Sequence, residues 1–167
     1  NPELLKCEPT SIAVALATVA QWGLDLGTTA HLVPYGRSCT PVADYKGYIE
    51  LMVAAGARKV EAHEVREGDL FEYAFGTDAF LRHQPKAKQG APITHAYAVV
   101  TLRGGVEQFE VMTAEEIEEI RAKSKGWAKG QLPAWYARKT VIRRCAKYVP
   151  KTARLVAPRM RGRRSRS

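Results

Sequence analysis

At 167 residues, 46% of them hydrophobic and 26% charged, the chain is long enough to bury about two thirds of its unfolded surface in one core without disulfide staples. Its net charge of +9 favours an anionic partner, while Cys7, Cys39 and Cys145, odd in number and lacking any CxxC pair, favour reduced, buried thiols in a cytosolic compartment. No apolar run reaches the roughly 18 to 20 residues of a membrane span and no secretory leader opens the chain, which begins at Asn1 and is expected to have lost residues upstream.

Pro9 begins a helix whose apolar positions, Ile12, Val14, Leu16, Val19 and Ala20, run almost all round, so it is expected to be largely buried, ending near Gly23. Ala30 to Tyr35 and Ser38 to Asp44 read as a hairpin about Gly36 and Arg37. Tyr45 to Ala55 reads as a second helix with Tyr48, Ile49, Met52 and Val53 inward and Gly56 as its cap. Its entrance, Asp44-Tyr45-Lys46-Gly47, puts Lys46 on the first turn beside backbone N–H groups without helical partners, a good place for an anion.

Alternation from Arg58 to Phe75 predicts a hairpin across Glu67-Gly68-Asp69, and Gly76 to Pro92, with little periodicity, reads as a long exposed loop. Ile93 to Arg103 and Val106 to Met112 flank Gly104-Gly105, a two-residue hairpin connection. Thr113-Ala114-Glu115-Glu116 is a capping box opening a helix to about Lys123. The last helix is expected to run about four turns between Pro133 in its first turn and Pro150. The resulting order, αββαββββαα, predicts an α+β domain with an antiparallel sheet covered by helices on one side.

That last helix organises the functional reading. Val141, Ile142, Cys145 and Val149 mark a buried stripe, while Lys139, Arg143 and Lys147 fall at successive i, i+4 positions, flanked by Arg138 and Arg144. Residues 1–120 carry 17 acids and 10 bases, a balance of −7, and residues 121–167 carry 16 bases and no acid. Like charges four apart repel by a few tenths of a kcal/mol, a cost that a polyanionic ligand reverses. A solvated helix face explains the same row about equally well. Trp127, Trp135, Tyr136 and Tyr148 interleave with the cations and could stack on bases, although Trp135 is expected in the core. From Lys151 to Ser167 a basic tail of Arg, Pro, Gly and Ser is expected to be disordered from about Arg159.

Other chemistry is poorly signalled. There is no GxxxxGK[ST] and no GxGxxG, and His31, His63, His83 and His95 show no metal-ligand spacing, so each is expected to be a satisfied polar residue. Asp44 and Lys46 form a D-x-K fragment of the kind used by metal-dependent nucleases, but Lys46 as a plain phosphate contact explains the same letters.

The run CEPTSIAVALATVAQWGLDLG, then HLVPYG, DYKGYIELMVAAGA, VREGD with FEYAFG, THAYAVVTLRGGVEQFEVMTAEEIEEIRAKSK and ARKTVIRRCAKYVP, resembles the RecT family of phage single-strand DNA annealing proteins, in family order from Asn1 to about Pro150. The resemblance implies a core over residues 1–150, truncated at its N-terminus, and a separate tail over 151–167. It implies annealing of complementary strands without ATP or another cofactor, Mg²⁺ acting at most as a modulator. It further implies ring or filament homo-oligomers holding single-stranded DNA and the annealed duplex in the bacterial cytoplasm, beside a phage 5′→3′ exonuclease and a host single-strand binding protein. The family's GYRGMI-like block falls on Asp44 to Ile49, with Tyr45 and Lys46, and its KKTAIRR-like block on Arg138 to Arg144, with Lys147 following. Two departures from the family pattern are expected to matter: the upstream segment that helps protomers meet is expected to be missing, and an Arg-rich tail is expected to stand in place of the acidic or mixed region for partner binding. Lys46, Lys139, Arg143, Arg144 and Lys147 are therefore expected to neutralise phosphates, with Arg138 and Tyr45 beside them. The rival readings are the Asp44/Lys46 nuclease and a basic RNA-binding module.

Overall fold

A computed structural model describes residues 2–88, 90–123 and 130–149, so Trp127, Pro150 and the basic tail lie outside the described residues. The architecture is α+β, with antiparallel sheets and, among the described residues, four α-helices. The chain divides into two compact units, one built from residues up to Ala55 and one from Gly56 to Val149.

In the first unit a 3₁₀ turn, Pro2–Lys6, leads to α1 (Pro9–Trp22), the hairpin β1 (Ala30–Tyr35) and β2 (Ser38–Ala43), and α2 (Tyr45–Ala54). Gly36, at φ 62°, makes the hairpin turn as expected. Cys7, Ala15 and Cys39 form a small core closed by Leu4, Ile12 and Leu32, and Ser11 ties α1 to β2 by accepting the Cys39 N–H at 2.7 Å. The expectation of a largely buried α1 is corrected: only Ala15, Val19 and Trp22 are buried, whereas Val14 and Leu16 are exposed. A helix with apolar residues on every side still has just the elements beside it to pack against, and here they cover one stripe. Likewise α2 buries Gly47, Leu51 and Met52 and leaves Val53 outside, and Ala55, not Gly56, is its C-cap.

The second unit holds β3 (Ala57–Arg66), β4 (Leu70–Ala74), β5 (Phe80–Gln84), β6 (Ile93–Leu102), β7 (Glu107–Thr113), α3 (Ala114–Ala122) and α4 (Ala134–Cys145). The three long strands form one sheet in the order β3-β6-β7, and β4 pairs with β5 separately. Two expectations fail here. The alternating run from Arg58 to Phe75 is not a hairpin, because β3 pairs with β6 (Ala62 opposite Ala98), and the supposed loop contains β5. The turn between β3 and β4 is held by a side chain: Asp69 accepts N–H groups from Arg66, Lys86 and Ala87 at 2.7–2.8 Å and so binds the turn to the segment after β5. Freed from β3, the β4–β5 pair lays Phe71 and Leu81 on Val65, Tyr97 and Val111. A two-stranded hairpin has little stability alone and needs that support.

On the other face of the sheet, Ala96, Ala98 and Val100 of β6 are completely buried and lie under α4. Alanines there let the helix come close, and Ala137, Val141, Ile142 and Cys145 fill the contact. The capping box of α3 forms in full, Thr113 accepting the Glu116 N–H while Glu116 accepts that of Thr113. The β6–β7 connection holds four residues, Arg103 to Val106, in place of the expected two; it is closed by the Leu102 N–H on the Val106 carbonyl, with Gly104 and Gly105 both at positive φ. The last helix stops sooner than expected: Pro133 is its N-cap, Ala146 its C-cap, and Lys147 to Val149 form a turn. Val149 stays buried, and a residue ahead of proline disfavours the α conformation.

Gly47 gives a direct test of the first unit. A Cβ there would stand closer to the Thr29 backbone oxygen than real Cβ atoms come, with the Leu24 side chain also near. Helix propensity favours alanine over glycine by about 1 kcal/mol, whereas overpacking against fixed backbone costs about 1 to 3 kcal/mol. Gly47→Ala is therefore expected to lower the urea midpoint. A raised midpoint would mean that propensity wins and the contact is soft.

Candidate nucleic-acid interface

The cations expected to bind phosphate are distributed in space differently from their order in the chain. On α4, Trp135, Lys139 and Arg143 follow at i, i+4 spacing, about 200° round the helix from Ala137 and Val141. Trp135, expected in the core, is 48% exposed, and Tyr136 takes the buried place. The Lys139 ammonium lies 5.9 Å from the centre of the Trp135 ring. An exposed cation–π contact is worth about 0.5 to 1 kcal/mol, enough to offset the few tenths of repulsion expected between Lys139 and Arg143. Lys147, exposed on the turn after the helix, continues the cationic surface without sharing the helical phase, and Tyr148 beside it is also exposed.

Arg138 and Arg144 have other duties. Arg138 Nη1 donates to Glu64 Oε2 at 3.0 Å, reaching the edge strand β3. Arg144 donates to Glu116 Oε1 at 2.8 Å and lies 3.7 Å from Glu110 on β7. The hydrogen bond to Glu116 raises the Arg144 pKa, against the opposing effect of burial, and the same bond lowers that of Glu116. Burial pushes the Glu110 carboxyl upward in spite of Arg144, consistent with the longer separation. A phosphate reaching either arginine has to displace a carboxylate first. Arg121, buried in α3, is paired with Glu118 and donates to the Gly130 carbonyl.

In the first unit Lys46 and Tyr45 are exposed on the opening turn of α2. Asp44 caps that helix by accepting the Gly47 N–H at 2.9 Å, and its other oxygen lies 3.7 Å from His31. Its carboxylate is thus occupied with structure, which weakens the nuclease reading. Among the described residues no three His, Cys, Asp or Glu side chains converge as metal ligands. Burial, with Glu110 adding to it, pushes the Cys145 thiol up to about 12, so it offers no thiolate nucleophile near neutral pH.

A cleft of about 610 Å³ at the β3 edge has no counterpart among the sites expected from the sequence. Its walls include His63, Glu64, Arg66, Tyr97, Lys88 and Arg138. Behind Tyr97, the His83 ring lies between the Tyr97 hydroxyl and the Asp69 carboxylate at 3.2 Å from each, so His83 is the satisfied polar residue expected. Arg66 donates to the Ala91 carbonyl at 2.8 Å and to Glu64 at 3.3 Å. Burial acts to raise the Glu64 pKa, but its own backbone N–H and the two guanidiniums outweigh it and hold the carboxyl below the ordinary value. The charged letters around Glu67-Gly68-Asp69 were the available signal, but only the β3–β6 pairing shows which of them meet.

A family model described as the RecT family matches residues 1–159. The chain belongs to the RecT family. It is also 38% identical to Protein RecT of Escherichia coli strain K12 over 164 residues, an alignment that takes in 89% of this chain and 61% of the relative. This RecT-family chain thus spans about three fifths of the curated relative that it matches. The two blocks singled out by charge and helix phase, Asp44 to Ile49 and Arg138 to Arg144, both fall within the matched span.

Asp69 sets an acid limit on this unit. Burial alone would raise its pKa, but the N–H groups of Arg66, Ala87 and Lys86, with His83, hold the carboxyl far below the usual carboxylate range. A depressed folded-state pKa contributes stability that is complete above the unfolded value near 3.9 and is lost as pH falls toward the folded one. Asp69→Asn is expected to cost about 2 to 3 kcal/mol at pH 7 and to flatten the loss of stability below about pH 4. Equal acid sensitivity of variant and parent in urea titrations would remove Asp69 from that role.

Proposed function

We propose that this chain binds single-stranded DNA through its phosphates and anneals complementary strands without ATP, making and breaking no bond. The observation that carries the reading is the Trp135–Lys139–Arg143 row on α4, on the side away from the helix's buried contact with the sheet, in a chain of the RecT family. Neutralised backbones can approach, and a strand held extended lets complementary bases test pairing at high effective concentration. Lys139 and Arg143 make the principal contacts, Lys147 and Lys46 add to them, and Tyr45 lies beside Lys46. Arg138 and Arg144 join only where phosphate displaces Glu64, Glu110 or Glu116. The working form is a homo-oligomer, ring or filament, holding one strand and then the duplex in the bacterial cytoplasm. A 5′→3′ exonuclease and a host single-strand binding protein are its partners, and Mg²⁺ modulates annealing without serving as a cofactor.

The salt dependence reports how many cations take part. Five contacts, with Arg144 counted, give a slope of about −3.5 in log affinity against log salt, or roughly 10²-fold between 50 and 200 mM. If Arg144 keeps its carboxylates, four contacts remain, and the slope is about −2.8 with a loss of roughly 50-fold. The four-contact value is expected from fluorescence anisotropy of labelled single strands, and an affinity independent of salt would sink the proposal.

Lys139→Ala/Arg143→Ala is expected to weaken binding alike for all sequences, since phosphate contacts carry no base code, and to reduce the slope by about 1.4. Unchanged affinity would remove α4 from the site. A fluorescence-transfer annealing assay on complementary strands without ATP tests the activity itself. Cleavage of the labelled strands with Mg²⁺ would favour the nuclease, and preferential competition by structured RNA would favour the RNA-binding module.

A further inference from the structure

We propose that the cleft at the β3 edge is a nucleotide pocket, taking one phosphate between Arg66 and Arg138 and one base against His63 and Tyr97. The cleft is of the right scale, since small-ligand sites run from about 300 to 1,000 Å³ and this one is about 610 Å³. Two guanidiniums from different elements, Arg66 at the end of β3 and Arg138 on α4, converge on the single carboxylate of Glu64, at 3.3 and 3.0 Å. Planar guanidinium forks suit phosphate oxygens as well as carboxylate oxygens, so Glu64 occupies the place a phosphate would take. Lys88 supplies a third cation on the lining.

The aromatic wall is equally specific. His63 and Tyr97 stand opposite each other across β3 and β6 with ring centroids 5.4 Å apart, tilted by 36°. Tyr97 is buried and fixed through its hydroxyl by His83, which Asp69 holds in turn. His63 is exposed and offers the outer ring face to a base, a contact that tolerates any sequence because every base has a π-face. The pocket differs from the Lys139–Arg143 row in kind, as it joins charge to an aromatic wall within one cleft. It rests on the single-strand reading in one respect: the nucleotide is taken to belong to a bound strand.

Titration calorimetry of the full chain with thymidine 5′-monophosphate, thymidine and inorganic phosphate tests the pocket. Saturable binding is expected for the nucleotide, at least about tenfold tighter than for either fragment, because both walls contribute. Glu64→Gln removes the competing carboxylate and is expected to tighten the nucleotide by about threefold to tenfold. A merely structural Glu64 would weaken or leave it. His63→Ala, at an exposed position, is expected to weaken the nucleotide by at least about threefold. No saturable binding, phosphate or thymidine alone binding as tightly as the nucleotide, an unchanged or weaker Glu64→Gln, or an unchanged His63→Ala would each overturn the proposal. Absence of nucleotide binding alongside salt-dependent strand binding would refute the pocket alone, whereas nucleotide binding without salt-dependent strand binding would refute the reading of α4 alone.

Discussion

The second unit depends on how α4 sits on the sheet. Small residues on β6, Ala96 and Ala98, let the helix approach, and Ala137 and Val141 are fully removed from solvent. Burying a side chain such as Val141 is worth about 1.5 to 3 kcal/mol, whereas a half-exposed ion pair such as Arg138 with Glu64 adds about 1 kcal/mol at most. Apolar contact therefore holds the helix, and the ion pairs select its rotation. Glu64 stands opposite Ala96 on β3 and Glu110 opposite Ala98 on β7, so the outer strands offer one carboxylate each on the helix-bearing face. Arg138 takes the first and Arg144 the second. With both fixed, Trp135, Lys139 and Arg143 have no place but the side away from the sheet.

This arrangement changes the meaning of the charge asymmetry. Along the chain, acids end at Glu119 and bases dominate afterwards, which suggests two blocks of opposite sign. In space, Glu64, Glu110, Glu116 and Glu118 return to Arg138, Arg144 and Arg121. Arg121, Arg138 and Arg144 are thus paired locally with acids, and the net field of the folded unit is smaller than the linear count implies. Among the described residues of α4, Trp135, Lys139 and Arg143 form a narrow row on the side away from the sheet.

Short-range signals are legible in the sequence. The Thr113 capping box, the turn at Gly36, the positive φ of Gly104 and Gly105 and the buried stripe of α4 follow from short-range chemistry, and each is present, although the connection at the two glycines is longer than their spacing suggests. Non-local facts were not available in that way. Alternation marks a strand but not its partner, so it points β3 to its neighbour in sequence instead of to β6, and β5 lies inside a polar segment whose letters carry no strand signal. Trp135 and Tyr136 are adjacent, and choosing which is buried takes the helix phase to within one residue. Lys46 is legible in the sequence as an exposed cation and Lys139 as a helix-surface cation, half-buried in the fold, whereas the cleft assembles residues from β3, β6, α4 and the segment after β5, far apart in sequence.

The three cysteines carry a practical consequence. All are buried, the Cys39 thiol is raised by burial and by Cys7, and Cys145 more strongly still. An exposed cysteine introduced on the surface keeps an ordinary value near 8.5 and reacts with a maleimide far faster than any native thiol. A single fluorophore can accordingly be placed on the folded protein without first removing the native sulfur.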